Sequence, residues 1–142
     1  MKFVDDILNA KGRDIWFVHP DATVFDAVKL MSEKSIGALL VMEGESLRGI
    51  ITERDYARKI ILEGKSSRQT PVTDVMTRRV LYVGPDRPIE ECMALMTTKR
   101  VRHLPVVKDQ RVVGLLSIGD LIKAIIERQQ VMIDQLQEYI AG

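Results

Sequence analysis

Two short stretches carry the side chains best placed for chemistry. Thr52-Glu-Arg-Asp55 and Ser117-Ile-Gly-Asp120 each set a hydroxyl three residues ahead of a carboxylate. Such groups bind through hydrogen bonds, the hydroxyl as donor and acceptor, the carboxylate as acceptor. Bond-making chemistry needs more. The sequence shows no nucleophile paired with a base, no Walker loop and no G-x-G-x-x-G pattern, so no catalytic residue is assigned. Two His and one Cys form no group with metal-ligand spacing, so no metal site is expected. Cys92 falls beside Met93 and Met96 on an apolar helical face, where it reads as a buried thiol, and His19, just before Pro20, reads as a turn residue. Thr or Ser with Asp three residues on, ahead of an apolar run, is also a helix-capping pattern. Ligand contact and capping therefore stand side by side for both pairs.

The elements that must hold these pairs occur twice. Sliding the sequence by 65 positions lays Val18–Asp55 onto Val83–Asp120 without a gap, with ten of 38 pairs identical, among them Gly49/Gly114 and Asp55/Asp120. In each copy Pro-Asp opens a helix, at Pro20–Thr23 or Pro85–Pro88, and apolar residues then recur with helical period: Val24, Ala27, Val28, Met31, or Ile89, Cys92, Met93, Met96. A hairpin follows, Ala38–Met42 with Leu47–Ile51 or Leu104–Val107 with Val112–Leu116, and the motif pair begins a second helix. With a leading strand at Ile15–Val18 or Leu81–Val83, each copy reads β-α-β-β-α. The fold class is α/β of the α+β kind: residues 1–65 form the first repeat with an N-terminal lead-in, and residues 66–142 the second with an extended C-terminal helix. One repeat alone would leave a sheet face uncovered, so the two are expected to pack about a pseudo-twofold axis, with a ligand cleft between them.

Composition narrows the functions further. Lys plus Arg is 21 against Asp plus Glu 20, a net charge of +1 that gives no global attraction to nucleic acid or anionic membrane. The N-terminus lacks a signal peptide's apolar run, and no apolar stretch reaches the length of a membrane span. With a single cysteine, a reducing cytoplasm is the expected location.

The pattern Gly, two apolar residues, Thr or Ser, two residues, Asp resembles the motif of the CBS domain. It stands here as Gly49-Ile-Ile-Thr52-Glu-Arg-Asp55 and Gly114-Leu-Leu-Ser117-Ile-Gly-Asp120, supported by Asp74-Val-Met-Thr77 and Arg102-His-Leu-Pro-Val106. The resemblance covers nearly the whole chain and implies a paired CBS module, often called a Bateman module, that binds adenine nucleotides such as AMP, ATP or NAD/NADH. It implies that Asp55 and Asp120 accept hydrogen bonds from ribose hydroxyls and that Thr52 and Ser117 lie nearer the phosphate. The adenine would sit against Ile15, Trp16, Gly37 and Ala38 in one copy, and against Val80, Leu81, His103, Leu104 and Pro105 in the other. Trp16 either stacks on a base or packs against its strand. Arg54 and Arg58, with Arg100, Arg102 and His103, offer phosphate contacts, or else form a solvated charged surface. Gly37-Ala38 in one copy is Arg102-His103 in the other, so two equivalent sites are not expected.

From Asp120 to Tyr139 there is no Gly or Pro, and Ile122, Ile125, Ile126, Gln129, Met132, Ile133, Leu136 and Ile140 recur every three or four residues. This apolar stripe runs past the duplicated unit. It covers either the chain's own module or a partner, for which a homodimer is the simplest choice. The leading reading is a regulatory module signalling to a separate, unidentified protein. The alternative is a structural or interaction module that binds no nucleotide; enzyme activity and nucleic-acid binding have little in the sequence behind them.

Overall fold

The computed structural model describes residues 1–141, and packing divides the chain into two units: Met1–Asp14 with Tyr82–Gly142 (unit 1) and Ile15–Leu81 (unit 2). Unit 2 opens with strand β1 (Phe17–Val18) and helix α2 (Val24–Lys34), preceded in the chain by helix α1 (Val4–Lys11) of unit 1. Thr23 starts α2 because its Oγ1 accepts from the Asp26 amide at 3.1 Å while the Thr23 amide donates to Asp26 Oδ2 at 3.2 Å. Strands β2 (Ala38–Glu43) and β3 (Ser46–Thr52) form the antiparallel hairpin, and β1 pairs parallel to β2. Helix α3 (Glu53–Tyr56) continues as a π-helical turn over Ala57–Ile61, and Val72–Asp74 forms a 3-10 turn. Apolar side chains from these elements, Val24, Ala27, Met31, Leu39, Val41, Ile51 and Ile60 among them, close one core.

Unit 1 repeats the plan with helix α4 (Ile89–Lys99), strands β4 (His103–Lys108) and β5 (Arg111–Ser117), and helix α5 (Ile118–Ala141). Even the irregularity of the hairpin is duplicated. The register slips between Val41 and Met42 in one and between Val106 and Val107 in the other, so that Arg48 and Val113 are the extra residues of matching bulges. The expected leading strand at Leu81–Val83 is reduced to a single parallel bridge, Val83 to Val106. Val83 makes both bonds of that bridge, donating to Pro105 O at 3.1 Å and accepting from Val107 N at 2.9 Å. Gly84 and Pro85 then turn the chain away before a ladder can lengthen.

A division at residue 65 follows the duplicated sequence; packing cuts the chain differently. Each unit is completed by the lead-in that precedes the other repeat in the chain. In unit 1 the Val4 amide donates to Arg87 O and the Ile89 amide to Lys2 O, each at 3.0 Å. In unit 2 the Val72 amide donates to Ala22 O at 2.9 Å and the Val24 amide to Thr70 O at 2.8 Å, the same pair of bonds in equivalent places. Val4, Ile7 and Leu8 thereby enter the unit 1 core, and Val72, Val75 and Met76 that of unit 2. The lead-ins lie so close over the hairpins that a side chain at either motif glycine would collide with them. A Cβ at Gly114 would stand 2.7 Å from Leu8 Cδ2, and one at Gly49 would stand 2.6 Å from Met76 Sδ and 2.8 Å from the Thr77 carbonyl oxygen.

Helix α5 extends as its periodicity predicts. Only Leu121 and Ala124 are buried, Ile125 is half-buried, and from Gln129 onward every described residue is exposed, so no described residue covers the stripe there. Cys92 is fully buried, and desolvation pushes its thiol up to about 11, which removes it as a nucleophile at neutral pH. His19 Nδ1 accepts from the Asp21 amide at 3.1 Å, as a turn residue does. No helix among the described residues is long and apolar enough to cross a membrane.

Candidate ligand-binding site

Each motif pair sits where a hairpin strand becomes a helix, and the capping chemistry is realised at both. In unit 2 the Thr52 amide and hydroxyl donate to Asp55 Oδ2 at 3.0 and 3.1 Å, and the Asp55 amide donates back to Thr52 Oγ1 at 3.2 Å. In unit 1 the Ser117 amide donates to Asp120 Oδ2 at 2.8 Å, and the Asp120 amide to Ser117 Oγ at 3.2 Å. Capping fixes both side chains in one orientation, so each carboxylate has paid its rotamer entropy before any ligand arrives.

A lysine completes each junction. Lys11 Nζ lies 2.7 Å from Asp120 Oδ2 and donates to the Leu115 carbonyl at 2.7 Å, tying α1 to the end of β5 and the start of α5. Lys59 Nζ lies 3.5 Å from Asp55 Oδ1 and donates to the Val75 carbonyl at 2.8 Å. Burial pushes the Asp120 carboxyl up, but the bonds from Lys11 and Ser117 outweigh it and hold the group below the usual carboxylate range. It is therefore an anionic acceptor at neutral pH, as binding to hydroxyls requires. Neither lysine was legible as a site residue; Lys59 follows Asp55 at helical spacing, whereas nothing in the sequence links Lys11 to Asp120.

Register brings some of the remaining candidates beside the motifs. Ala38 lies opposite Thr52 and His103 opposite Ser117. The Glu53 amide donates to Gly37 O at 3.0 Å, and the Ile118 amide to Arg102 O at 2.8 Å, so the two positions where the repeats diverge hold equivalent backbone bonds. Burial lowers the His103 pKa, opposed by the Asp120 charge and reinforced by Lys11 and Arg102. The imidazole is thus neutral at pH 7, a hydrogen-bonding group rather than a cation for phosphate. Leu104 and Pro105 are buried in β4. Ile15 is half-buried, and Val80 and the exposed Leu81 end unit 2. One face of Trp16 is occupied by Lys34, whose Nζ stands 4.2 Å from the ring centroid, which leaves stacking only to the other face.

The basic residues are spread over several elements. Arg54 lies on α3 and Arg58 on the π-helical turn of unit 2; in unit 1 Arg100 is the left-handed C-cap of α4 (φ 55°) and Arg102 precedes β4. All four are exposed. Beside Lys11 and Asp120 lies a cavity of about 120 Å³ walled by α1 and α5. That is well below the roughly 300 Å³ at which small-molecule sites begin, so it holds part of a ligand at most. No group of three or more His, Cys, Asp or Glu suited to a metal ion occurs among the described residues.

The comparisons agree with the duplication. The CBS domain profile matches residues 4–62 and 72–127. The chain is 41% identical over 149 residues to the mitochondrial CBS domain-containing protein CBSX3 of Arabidopsis thaliana, covering 98% of this chain and 72% of that protein. A solved protein with CBS domains from Burkholderia ambifaria is 52% identical with a TM-score of 0.87, covering 89% of this chain and 96% of its own. The CBS domain pair of protein MJ0100, solved with 5-methylthioadenosine and S-adenosyl-L-methionine, is 27% identical with a TM-score of 0.79, covering 89% and 97%.

Proposed function

The chain belongs to the CBS-domain family, and on that premise we propose that it is a regulatory module that binds adenine nucleotides, AMP, ATP or NAD/NADH, and signals to a separate protein. The observation that carries this reading is the pair of pre-oriented carboxylates, Asp55 and Asp120, each fixed by its cap and met by a lysine. An ionised carboxylate accepts hydrogen bonds from ribose hydroxyls, and the hydroxyl and amides at a strand-to-helix junction suit a phosphate. The adenosyl ligands of the MJ0100 pair support the same ligand class. The module acts by binding rather than turnover, in the cytoplasm, and a second copy of the chain is the simplest partner for the stripe on α5.

A purely structural module is the competing reading, since both caps are complete without any ligand. Thermal unfolding of ligand-stripped protein against AMP, ADP, ATP, NAD, NADH and, as control, GTP separates the two. At about 100 times its dissociation constant a ligand adds roughly 2.7 kcal/mol, a rise of a few degrees. A selective rise with an adenine nucleotide supports the sensor. No rise with any of them leaves the structural module.

A further inference from the structure

The first turns of α5 face two ways. Leu121 and Ala124 are buried in the core of unit 1, and Arg128 pairs with Glu90 of α4 on the same side. Roughly 100° around the helix, at 3.6 residues per turn, runs a second face that no described residue covers. Its residues are Ile122, Ile126, Gln129, Ile133, Leu136 and Ile140, spaced four, three, four, three and four apart. Strict alternation of four and three is a heptad seam rather than the broader stripe of a helix lying on a globular core. Ile126, Ile133 and Ile140 take the a positions; Ile122, Gln129 and Leu136 take d. The seam is open along its length, with Ile126 58%, Leu136 60% and Ile140 82% exposed.

The flanks say what fits there. The e and g positions that line the seam are Lys123, Ile125, Gln130, Met132, Gln137 and Tyr139, with one charge among them, Lys123 in the first turn. The other charges of this stretch, Glu127, Arg128, Asp134 and Glu138, fall on b, c and f, away from the seam. A helix with charged e and g residues selects a partner of opposite charge; one with neutral flanks meets an identical helix without repulsion. Isoleucine fills every a position and Leu136 one of the three d positions; β-branched residues at a with Leu at d favour two parallel strands, and a lone polar residue in the seam fixes register. In a parallel pair Gln129 meets the partner's own copy of Gln129, where the two amides bond to each other; in a shifted or antiparallel pair each amide would be buried against isoleucine or leucine.

We propose that α5 pairs with α5 of a second copy as a parallel, two-stranded coiled coil over residues 122–140, with Gln129 as the register-setting layer. This deepens the homodimer reading and is independent of any nucleotide. It gives the module an outlet: the coil begins at Ile122, two residues after Asp120, so tilting of the first turn of α5 at the motif is passed to the paired helices.

Disulfide cross-linking of the full, nucleotide-free chain tests it. Leu136→Cys places two thiols side by side in a parallel seam, whereas Glu138→Cys, at f, faces solvent; buried Cys92 does not compete. Under mild oxidation Leu136→Cys is expected to run at twice 16.1 kDa and Glu138→Cys at the single-chain mass. Adding Ile126→Glu and Ile133→Glu abolishes the cross-link, while Val131→Glu, at the outward f position, leaves it intact. All these positions are exposed, so the variants retain the fold, which the unfolding temperature verifies. A wild type that sediments as a single chain, or a Leu136→Cys cross-link no faster than that of Glu138→Cys, overturns the coiled coil. Nucleotide binding is scored separately by the thermal shift, so loss of either reading leaves the other standing.

Discussion

In unit 1 the lysine that meets the motif carboxylate comes from 109 positions away, on the N-terminal helix; in unit 2 it comes from four residues on, on the motif helix itself. Both lysines tie the lead-in to the motif, but in opposite directions. Lys11 leaves the lead-in and grips the Leu115 carbonyl of the hairpin, whereas Lys59 leaves the motif helix and grips the Val75 carbonyl of the lead-in. The cause is lead-in length. Helix α1 runs eight residues, enough to carry Lys11 past Leu8 to Asp120, while its counterpart is a three-residue 3-10 turn. The difference teaches that a duplicated site can keep its geometry while exchanging the residues that supply its charge.

The comparison is tested most severely at the lead-ins. Leu8→Ala removes a fully buried side chain from the unit 1 core and is expected to cost about 3 kcal/mol in urea unfolding. A loss under about 1 kcal/mol would mean that α1 does not complete unit 1. Next come the glycines. Gly49→Ala meets a backbone oxygen at 2.8 Å, which cannot give way, whereas Gly114→Ala meets only the tip of the Leu8 side chain. Both overpack, at about 3 and 1 kcal/mol respectively; the opposite order would break the account of how closely each lead-in packs.

Smaller effects are expected at the lysines. Lys11→Met should cost about 1 kcal/mol at pH 7 and Lys59→Met about half that, since both pairs are partly exposed and only Lys11 closes on its carboxylate at 2.7 Å. Asp120 has a folded pKa below its ordinary 3.8, so its contribution is present above that value and fades as pH falls through the folded pKa. The Lys11→Met deficit, followed by unfolding against pH, should therefore shrink below pH 3.8. Smallest is the contribution of His103. Its folded pKa lies below the ordinary 6.5, so the unfolded chain takes up the proton first and stability declines as pH drops from 6.5. His103→Gln should flatten that decline, and an NMR titration of His103 with a midpoint at or above 6.5 would contradict it.

Much of this was legible in the sequence because duplication states every element twice. The hairpins, both motif helices and the length of α5 follow from apolar period and turn residues, and the bulges and motif glycines fall at equivalent positions. What stayed hidden was long-range. No local pattern in Val4-Asp-Asp-Ile-Leu8 or Val72-Thr-Asp-Val-Met76 tells which repeat each serves, and so the pairing of Lys11 with Asp120 was invisible. The shortened strand at Val83 was overread because one bridge and a two-residue strand have the same apolar signature. The burial that keeps His103 neutral likewise arises only on folding.

The central claim, that the two motif aspartates hold an adenine nucleotide at non-equivalent sites, is tested most directly by isothermal titration of wild type, Asp55→Asn and Asp120→Asn. Asparagine keeps an oxygen to cap the helix but loses the charge. The account predicts two unequal affinities in the wild type, with each substitution weakening a different one by at least about tenfold, the 1.4 kcal/mol of a charged hydrogen bond. Identical sites, or affinities indifferent to both substitutions, would contradict it.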